Sequence, residues 1–447
     1  MRSMISGAKR VAGCWLAAAS IATAVGAAAL AFHLAHGERP FVFWTYNRDS
    51  QPFELLGLFG GLTLVAATWL RAHRRPLDDA LPSLVAGAVG LAWLGYVAEN
   101  WEQSYDWRCY RAAAEQLAAG GDAYGGCYLY PPLLAQALAG ASRLLARVVG
   151  PDETWLAVFF AWQAAQIALV IAAAAASVRL VERLRVPRRR ACAYVAIAFL
   201  VDAPLLRTLR HNQVNLWVLD LILFALVAHE AWPLAAGAAL ALAGHVKLYP
   251  FALGLAFLLC RRWRVLAGAI IGAFAVLGLE LAAGGAAAWR AYLAFVPRFP
   301  GGTLMRDNGL HSFVFNSCRL AGCPRAVPYL WIALVLAVSA LIARRLQRRQ
   351  RALPVEDPAR LYGHAADLLA WTLLVSPMVW EHHYLLAVPA LLIYASLAPR
   401  ASLPRLAIAA ALMLAMPTSD FYPLGYHRLA GLALLLAWTD PTSSTAS

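Results

Sequence analysis

The sequence predicts an all-α polytopic membrane protein, and three observations carry that expectation. Of the 447 residues, 61% are hydrophobic and only 14% charged, against roughly 25% charged in a soluble domain. The apolar residues come in long runs such as Val11–Leu34 and Trp155–Val178. The basic residues come in short blocks between runs: Arg71, Arg74 and Arg75; Arg179 to Arg190; Arg261, Arg262 and Arg264; Arg344 to Arg351. A net charge of +14 could mean nucleic acid, but that partner needs its basic residues gathered on one soluble surface. Blocks between apolar runs mark cytoplasmic loops and attract anionic headgroups, so the expected partners are membrane lipids and no nucleic acid.

Each element follows from those runs. The first is preceded by Arg2, Lys9 and Arg10. It is longer than the roughly 7–15 apolar residues of a signal peptide, so it reads as a retained helix with its N-terminus inside. Leu55–Leu70 returns to the first arginine block, and Leu81–Val97 goes out again. If 131–149 also crossed, the block 179–190 would lie outside, against the positive-inside rule. That segment, with Arg143 and Arg147, therefore reads as an amphipathic helix lying on the outer surface, its arginines snorkelling.

Trp155–Val178 then goes in, Ala191–Leu206 out and Val214–Ala228 in. Leu234–Gly244 and Leu248–Cys260 form a short pair turning at His245-Val246-Lys247, Val265–Ala283 goes out, and an outer loop covers 284–325. Five more runs alternate to Trp438. The total is about 12–14 spans, several shorter than the roughly 20 residues a crossing takes. Short spans fit half-helices packed around a cavity. Both termini are expected in the cytoplasm and the protein in the cell membrane.

This topology puts most chemically capable residues on one face, the outer one. They are Asp106, His211-Asn212-Gln213, His245, Lys247, Arg306-Asp307-Asn308, His311 and Glu381-His382-His383. A single histidine at a helix end is more often an interfacial side chain, but ionisable groups at membrane depth are costly and mark function. The densest stretch runs from Asp106 to Pro132, DWRCYRAAAEQLAAGGDAYGGCYLYPP, with glycine-pair turns at 120–121 and 125–126. Asp106 reads as a catalytic carboxylate. Most of the aromatics near it fit an interfacial belt.

The segments DWRCYRAAAEQLAAGGDAY…YLYPPLL, HNQVNLWVLDLILFAL, HVKLYPFAL and SPMVWEHHYLLAVPALL resemble the glycosyltransferases of family 87 in the GT-C superfamily, which are polyprenyl-phosphate-mannose-dependent mannosyltransferases. The resemblance spans roughly residues 80–440. It implies a GT-C-type helical bundle, with 1–79 as two added N-terminal transmembrane helices and 441–447 as a polar tail. It also implies a polyprenyl-phosphate sugar donor, a lipid or glycan acceptor and a site on the outer face. Asp106 takes the place of the general base. Lys247, His382 and His383, with Arg306 or Arg210, are the expected donor-phosphate groups. Asn212, Gln213, Tyr130, Glu381 and His311 are the expected substrate contacts.

The chemistry asks for the same residue types. A sugar hydroxyl attacks poorly until a base takes its proton, worth about 10²–10⁴-fold. A departing lipid phosphate gains charge that fixed cations stabilise. It leaves unprotonated, so one carboxylate suffices where a hydrolase uses two. The expected course is a single displacement with inversion. No DxD pair, metal-spaced histidine or cysteine set, or phosphate-cradling glycine loop is present in the sequence, so neither metal nor cofactor is expected.

Of the seven cysteines, Cys14, Cys192 and Cys260 lie in or at the ends of apolar runs and read as buried thiols. Cys109 with Cys127, and Cys318 with Cys323, share outer loops in an oxidising compartment. Each pair is expected as a disulfide, with four free thiols as the alternative. A transporter or lipid flippase is the rival functional reading, using Asp202, Asp220, Glu280 and Asp367 within or near spans as a proton relay. The lack of an internal duplication in the sequence weighs against it.

Overall fold

The computed structural model describes residues 16–28, 31, 54, 57–65, 104–298, 308–399, 402–418, 422–439 and 442. Cys14 and Arg306 fall outside this set. Among the described residues every regular element is helical. An apolar chain in lipid must satisfy its own backbone hydrogen bonds, and the helix does so within one segment.

In chain order the helices are α1 (Leu16–Ala28), α2 (57–65), α3 (Tyr105–Ala118), α4 (Pro132–Val149), α5 (Thr154–Arg183), α6 (Arg188–Leu200), α7 (Ala203–Arg210) and α8 (Asn215–Ala228). They continue with α9 (Pro233–Val246), α10 (Tyr249–Leu259), α11 (Trp263–Phe295), α12 (Leu310–Leu320), α13 (Val327–Ala352), α14 (Pro358–Val375), α15 (Val388–Leu397), α16 (Leu403–Ala415) and α17 (His427–Trp438). Among the described residues three stretches are long and apolar enough to cross a bilayer: Thr154–Arg183, Trp263–Phe295 and Pro324–Ala352. α6 and α7, bent by 55° at their junction, make a fourth if read as one broken span. Five more apolar helices, α1, α8, α9, α10 and α16, are shorter.

The chain forms two compact units. One comprises residues 1–92, 177–207 and 302–447, and the other residues 93–176 and 208–301. In the second unit α9 packs along α11, and the two backbones approach through glycines. A Cβ at Gly237 would lie 2.0 Å from Val265 O, and one at Gly268 would lie 2.3 Å from Leu234 O. Small residues at such crossings let helices close up in lipid. α3 and α4 form a second pair here. α3 buries Asp106, Trp107, Cys109, Tyr110, Ala113 and Ala114 on one face. α4 buries Leu134, Ala135, Leu138, Ala139 and Ser142, and leaves Arg143 and Arg147 exposed. That face pattern is the amphipathic one read for 131–149.

Two expectations need correction. The expected span Ala191–Leu206 is interrupted at Val201–Asp202, where Asp202 Oδ1 accepts the Leu205 N–H at 2.9 Å and starts α7 afresh. The stretch 284–325 is not one open loop. α11 runs on to Phe295 with a break at Gly285, whose φ of 64° favours glycine. Gln136 of α4 donates to Glu280 O at 3.0 Å before the break, and α12 adds a helix over Leu310–Leu320 within the stretch.

In the first unit, α1 and α2 are bound into the fold. Thr23 Oγ1 donates to Ala415 O at 2.9 Å. Gly57 and Gly61, four apart on α2, face Leu206 and Leu200, and a Cβ on Gly61 would lie 1.8 Å from Leu200 O. From α13, Arg345 and Arg349 each donate to the Asp367 carboxylate of α14 at 2.7 Å. Arg345 also donates to Leu436 O and Thr439 O, both at 2.8 Å.

Gly268→Val tests the close crossing of α9 and α11. Overpacking costs about 1–3 kcal/mol, so thermal unfolding in detergent, followed by tryptophan fluorescence, should shift down by several degrees. Gly278→Ala on the same helix has open space around its Cβ and should leave the transition where it is or raise it slightly.

Candidate active site

Within the second unit, the polar residues singled out from the sequence meet around Gln213. Asp106 lies in the first turn of α3, where the helix dipole stabilises negative charge. Its Oδ2 stands 3.9 Å from Nδ1 of His211. After α7 the chain turns at Asn212, whose φ is 55°, a left-handed conformation that asparagine tolerates better than most residues. The turn sends Asn212 and Gln213 into the interior, where both are buried.

Gln213 Oε1 accepts the hydroxyls of Tyr110 at 3.1 Å and Tyr130 at 3.0 Å. From α5, Gln166 Nε2 donates to Gln213 O at 2.9 Å, and Gln163 Nε2 donates to Asn212 Oδ1. The two glutamines are three residues apart and so share a helix face. Lys247 follows the last residue of α9 in an extended conformation, φ −146° and ψ 130°. Its ammonium donates to Asn215 Oδ1 at 2.5 Å and lies 5.0 Å above the Tyr130 ring. Burial penalises the ammonium and pushes its pKa down to about 7, while the nearby Asp106 carboxylate pulls the other way. The cluster thus holds a carboxylate, an amine that titrates near neutrality, and hydrogen-bonding amides and phenols.

The loop between α3 and α4 is braced against that cluster. A disulfide joins Cys109 and Cys127, with Cα atoms 5.3 Å apart. Tyr128 OH donates to Pro131 O at 2.7 Å, and Tyr124 OH donates to Tyr130 O at 3.0 Å. The second expected disulfide does not form: Cys318 and Cys323 are free thiols. They flank the C-terminus of α12, where Gly322 (φ 71°) reverses the chain and the Cys323 N–H bonds Cys318 O at 2.8 Å. Cys318 points into the cluster with Val314 and Val327, while Cys323 faces out. Cys260 is buried and Cys192 half-buried.

The Trp380–His383 segment belongs to the first unit. The Trp380 N–H donates to His383 Nδ1 at 3.1 Å, and the His383 N–H donates to Trp380 O at 2.9 Å. With Nδ1 accepting, neutral His383 carries its proton on Nε2. The His382 and His383 rings lie 4.7 Å apart, edge to face. Glu381 is buried and accepts from Arg207 Nε at 2.9 Å. His311 sits in the first turn of α12, edge-on to Trp331, and burial lowers its pKa. Arg210 is half-buried in the last turn of α7. Among the described residues no three His, Cys, Asp or Glu side chains are grouped to hold a metal ion.

Several participants were not singled out from the sequence: Tyr110, Gln163, Gln166, Arg207 and Glu54. The signal for the glutamines was present, as two amides three apart in an apolar helix. For Arg207 and Glu54 it was a charge at the edge of an apolar run, which demands a partner. Three of the four acids considered for a proton relay are engaged locally. Asp367 is held by two arginines, Asp202 caps α7, and Glu280 Oε2 lies 2.9 Å from His245 Nδ1 and accepts from Trp289 at 3.2 Å.

A helical membrane fold that gathers a carboxylate, a buried amine and fixed amides has the equipment of a membrane enzyme acting on hydroxyl and anionic groups. The chain belongs to glycosyltransferase family 87, whose model matches residues 128–377, more than half of its length. It is 27% identical over 318 residues to the polyprenol-phosphate-mannose-dependent alpha-(1-2)-phosphatidylinositol pentamannoside mannosyltransferase of Mycolicibacterium smegmatis. That alignment covers 67% of this chain and 71% of the relative. The protein is a membrane glycosyltransferase.

The disulfide closes a loop of 18 residues, a constraint worth about 3 kcal/mol. Unreduced peptide mass spectrometry should recover Cys109 linked to Cys127, with Cys318 and Cys323 both alkylated. Replacing Cys109 and Cys127 by serine should lower the unfolding temperature. An unchanged temperature would mean that the bond does not brace the loop.

Proposed function

We propose that the protein transfers mannose from a polyprenyl-phosphate donor to a lipid or glycan acceptor on the outer face of the cell membrane, with inversion at the sugar carbon. The observation that carries this reading is the cluster of Asp106, Gln213, Tyr130 and Lys247 in one unit. The M. smegmatis relative's dependence on polyprenol-phosphate-mannose supports the donor. The arginine blocks support a multi-pass topology with cytoplasmic termini.

Asp106 acts as general base. It takes the proton of the acceptor hydroxyl as that oxygen bonds to the anomeric carbon. The bond from that carbon to the phosphate oxygen breaks, and its electron pair leaves with the polyprenyl phosphate. Lys247 offsets the charge gained by the phosphate. Gln213, Asn212 and Tyr130 orient sugar hydroxyls. The Trp380–His383 segment keeps the role its family resemblance gives it, a contact to the donor phosphate, with His383 Nε2–H as one donor. Arg210 and Arg306 remain candidate donor-phosphate groups, and His311 a candidate substrate contact, on their charge and hydrogen-bonding chemistry.

The test is sugar transfer from polyprenyl-phosphate-mannose into a membrane lipid extract by purified protein. Asp106→Asn should lower kcat by about 10²–10⁴-fold with the fold intact. Transfer at the wild-type rate would remove Asp106 from the role of base, and the absence of transfer by the wild type would overturn the donor assignment.

Lys247 adds a pH signature. An amine whose pKa is lowered to about 7 is protonated below that pH and neutral above it. A phosphodiester isoprenyl ligand does not titrate in this range. Its affinity should be level below pH 7 and weaken by up to about tenfold per unit above it, as the protonated fraction falls. In Lys247→Arg the affinity should be independent of pH over the same range, because arginine stays charged.

A further inference from the structure

Four charged side chains are buried together in the first unit, and none of them was needed to define the transferase cluster. Glu54, Arg207 and Arg428 are fully buried, and Glu381 nearly so. Arg207 Nε lies 3.0 Å from Glu54 Oε1 and donates to Glu381 Oε1 at 2.9 Å, with Arg207 Nη2 on the same Glu381 oxygen. Glu54 Oε2 accepts the Thr418 N–H at 2.7 Å. Arg428 is within electrostatic reach of both carboxylates and donates to Met416 O at 3.1 Å. Two carboxylates and two guanidinium groups balance. In an apolar surrounding, removing one member leaves a charge without compensation.

The geometry points to Glu54 as a positioning residue for the Trp380–His383 segment, acting through Arg207 on Glu381. This rests on the proposed function, which gives that segment its contact with the donor. Glu54 lies far outside the residues matched by the family model, 128–377, whereas Arg207 lies within them. Of the four charges only Arg207 lies within that match; Glu381 and Arg428, like Glu54, lie outside it.

The seat of Glu54 is fixed from several sides. α2 begins three residues later in the sequence and is held against Leu200 and Leu206 by Gly57 and Gly61. Arg207 is aimed by the fresh start of α7 at Asp202. On the far side of the pair, Glu381 opens the turn 381–387, which is tied down by Tyr384 OH donating to Asn308 O at 3.0 Å and by the Asn308 N–H donating to Val379 O at 2.7 Å. With the neighbouring backbone pinned in this way, Glu381 is the charged lever that sets how Trp380, His382 and His383 stand. Its carboxylate reaches Arg207, so its contribution is structural placement of those rings.

The experiment compares wild type, Glu54→Gln and Glu54→Asp in two readouts. The first is hydrogen–deuterium exchange of the peptide covering residues 380–387, which needs no activity. The second is the KM for polyprenyl-phosphate-mannose against the KM for acceptor, each corrected for folded enzyme. In Glu54→Gln, exchange should rise by about tenfold, and donor KM should rise by about tenfold with acceptor KM unchanged. Glu54→Asp keeps the charge and should return donor KM to within about threefold of wild type. Unchanged exchange, or equal changes in both KM values, overturns the role. If Glu54→Gln does not fold, the same comparison in Glu54→Asp decides by the sign and selectivity of a smaller change. If wild type transfers no mannose, the proposed function fails, and the exchange readout alone still decides the link from Glu54 to the segment.

Discussion

An ion buried in an apolar surrounding needs a partner, because moving it there unpaired costs several kcal/mol. That constraint accounts for more of this molecule than any packing rule. Lys247 finds Asn215, the Tyr130 face and the Asp106 charge. Arg207 finds Glu381 and Glu54, and Asp367 finds Arg345 and Arg349. The Arg207 pairs join stretches far apart in sequence, whereas the Asp367 pairs join the neighbouring helices α13 and α14. The glycines do complementary work: at Gly237, Gly268 and Gly61 they let backbones approach closely.

The same constraint prepares the chemistry. Gln213 is held from three sides, by Tyr110, Tyr130 and Gln166. Amides and phenols fixed in this way need not reorganise when charge develops on a substrate, which is the basis of electrostatic preorganisation. The disulfide and the tyrosine bonds of the 119–131 loop hold Tyr130 beside Gln213. Lys247 loses much of its preference for the charged state on burial, so an anionic ligand that restores that preference is bound the more selectively.

Much of this was legible in the sequence. The helical membrane fold followed from the apolar runs, and Asp106, Gln213, Tyr130 and Lys247 were visible as polar residues at run boundaries. What was hidden had physical reasons. The bend at Val201–Asp202 combines the Asp202 side-chain cap with Pro204, which has no N–H to bond Leu200 O, and a hydropathy pattern reports neither. The block Arg344–Arg351 read as a uniform cytoplasmic signal, yet Arg345 and Arg349 turn inward because Asp367 sits opposite them on α14. Cys318 and Cys323 are expected to pair because they share a loop, but they flank a helix cap as two free thiols. Glu54 and Arg207 are single charges at the ends of apolar runs, 153 residues apart, and only the fold shows them as partners.

The central claim is that Asp106 and Lys247 serve opposite ends of one displacement. A structure with a non-transferable phosphonate analogue of polyprenyl-phosphate-mannose bound tests it most directly. The account predicts a phosphonate oxygen within hydrogen-bond distance of Lys247 Nζ, with the face of the anomeric carbon away from the phosphonate turned toward the Asp106 carboxylate. A phosphonate seated away from Lys247, or an anomeric carbon whose open face looks away from Asp106, would contradict it.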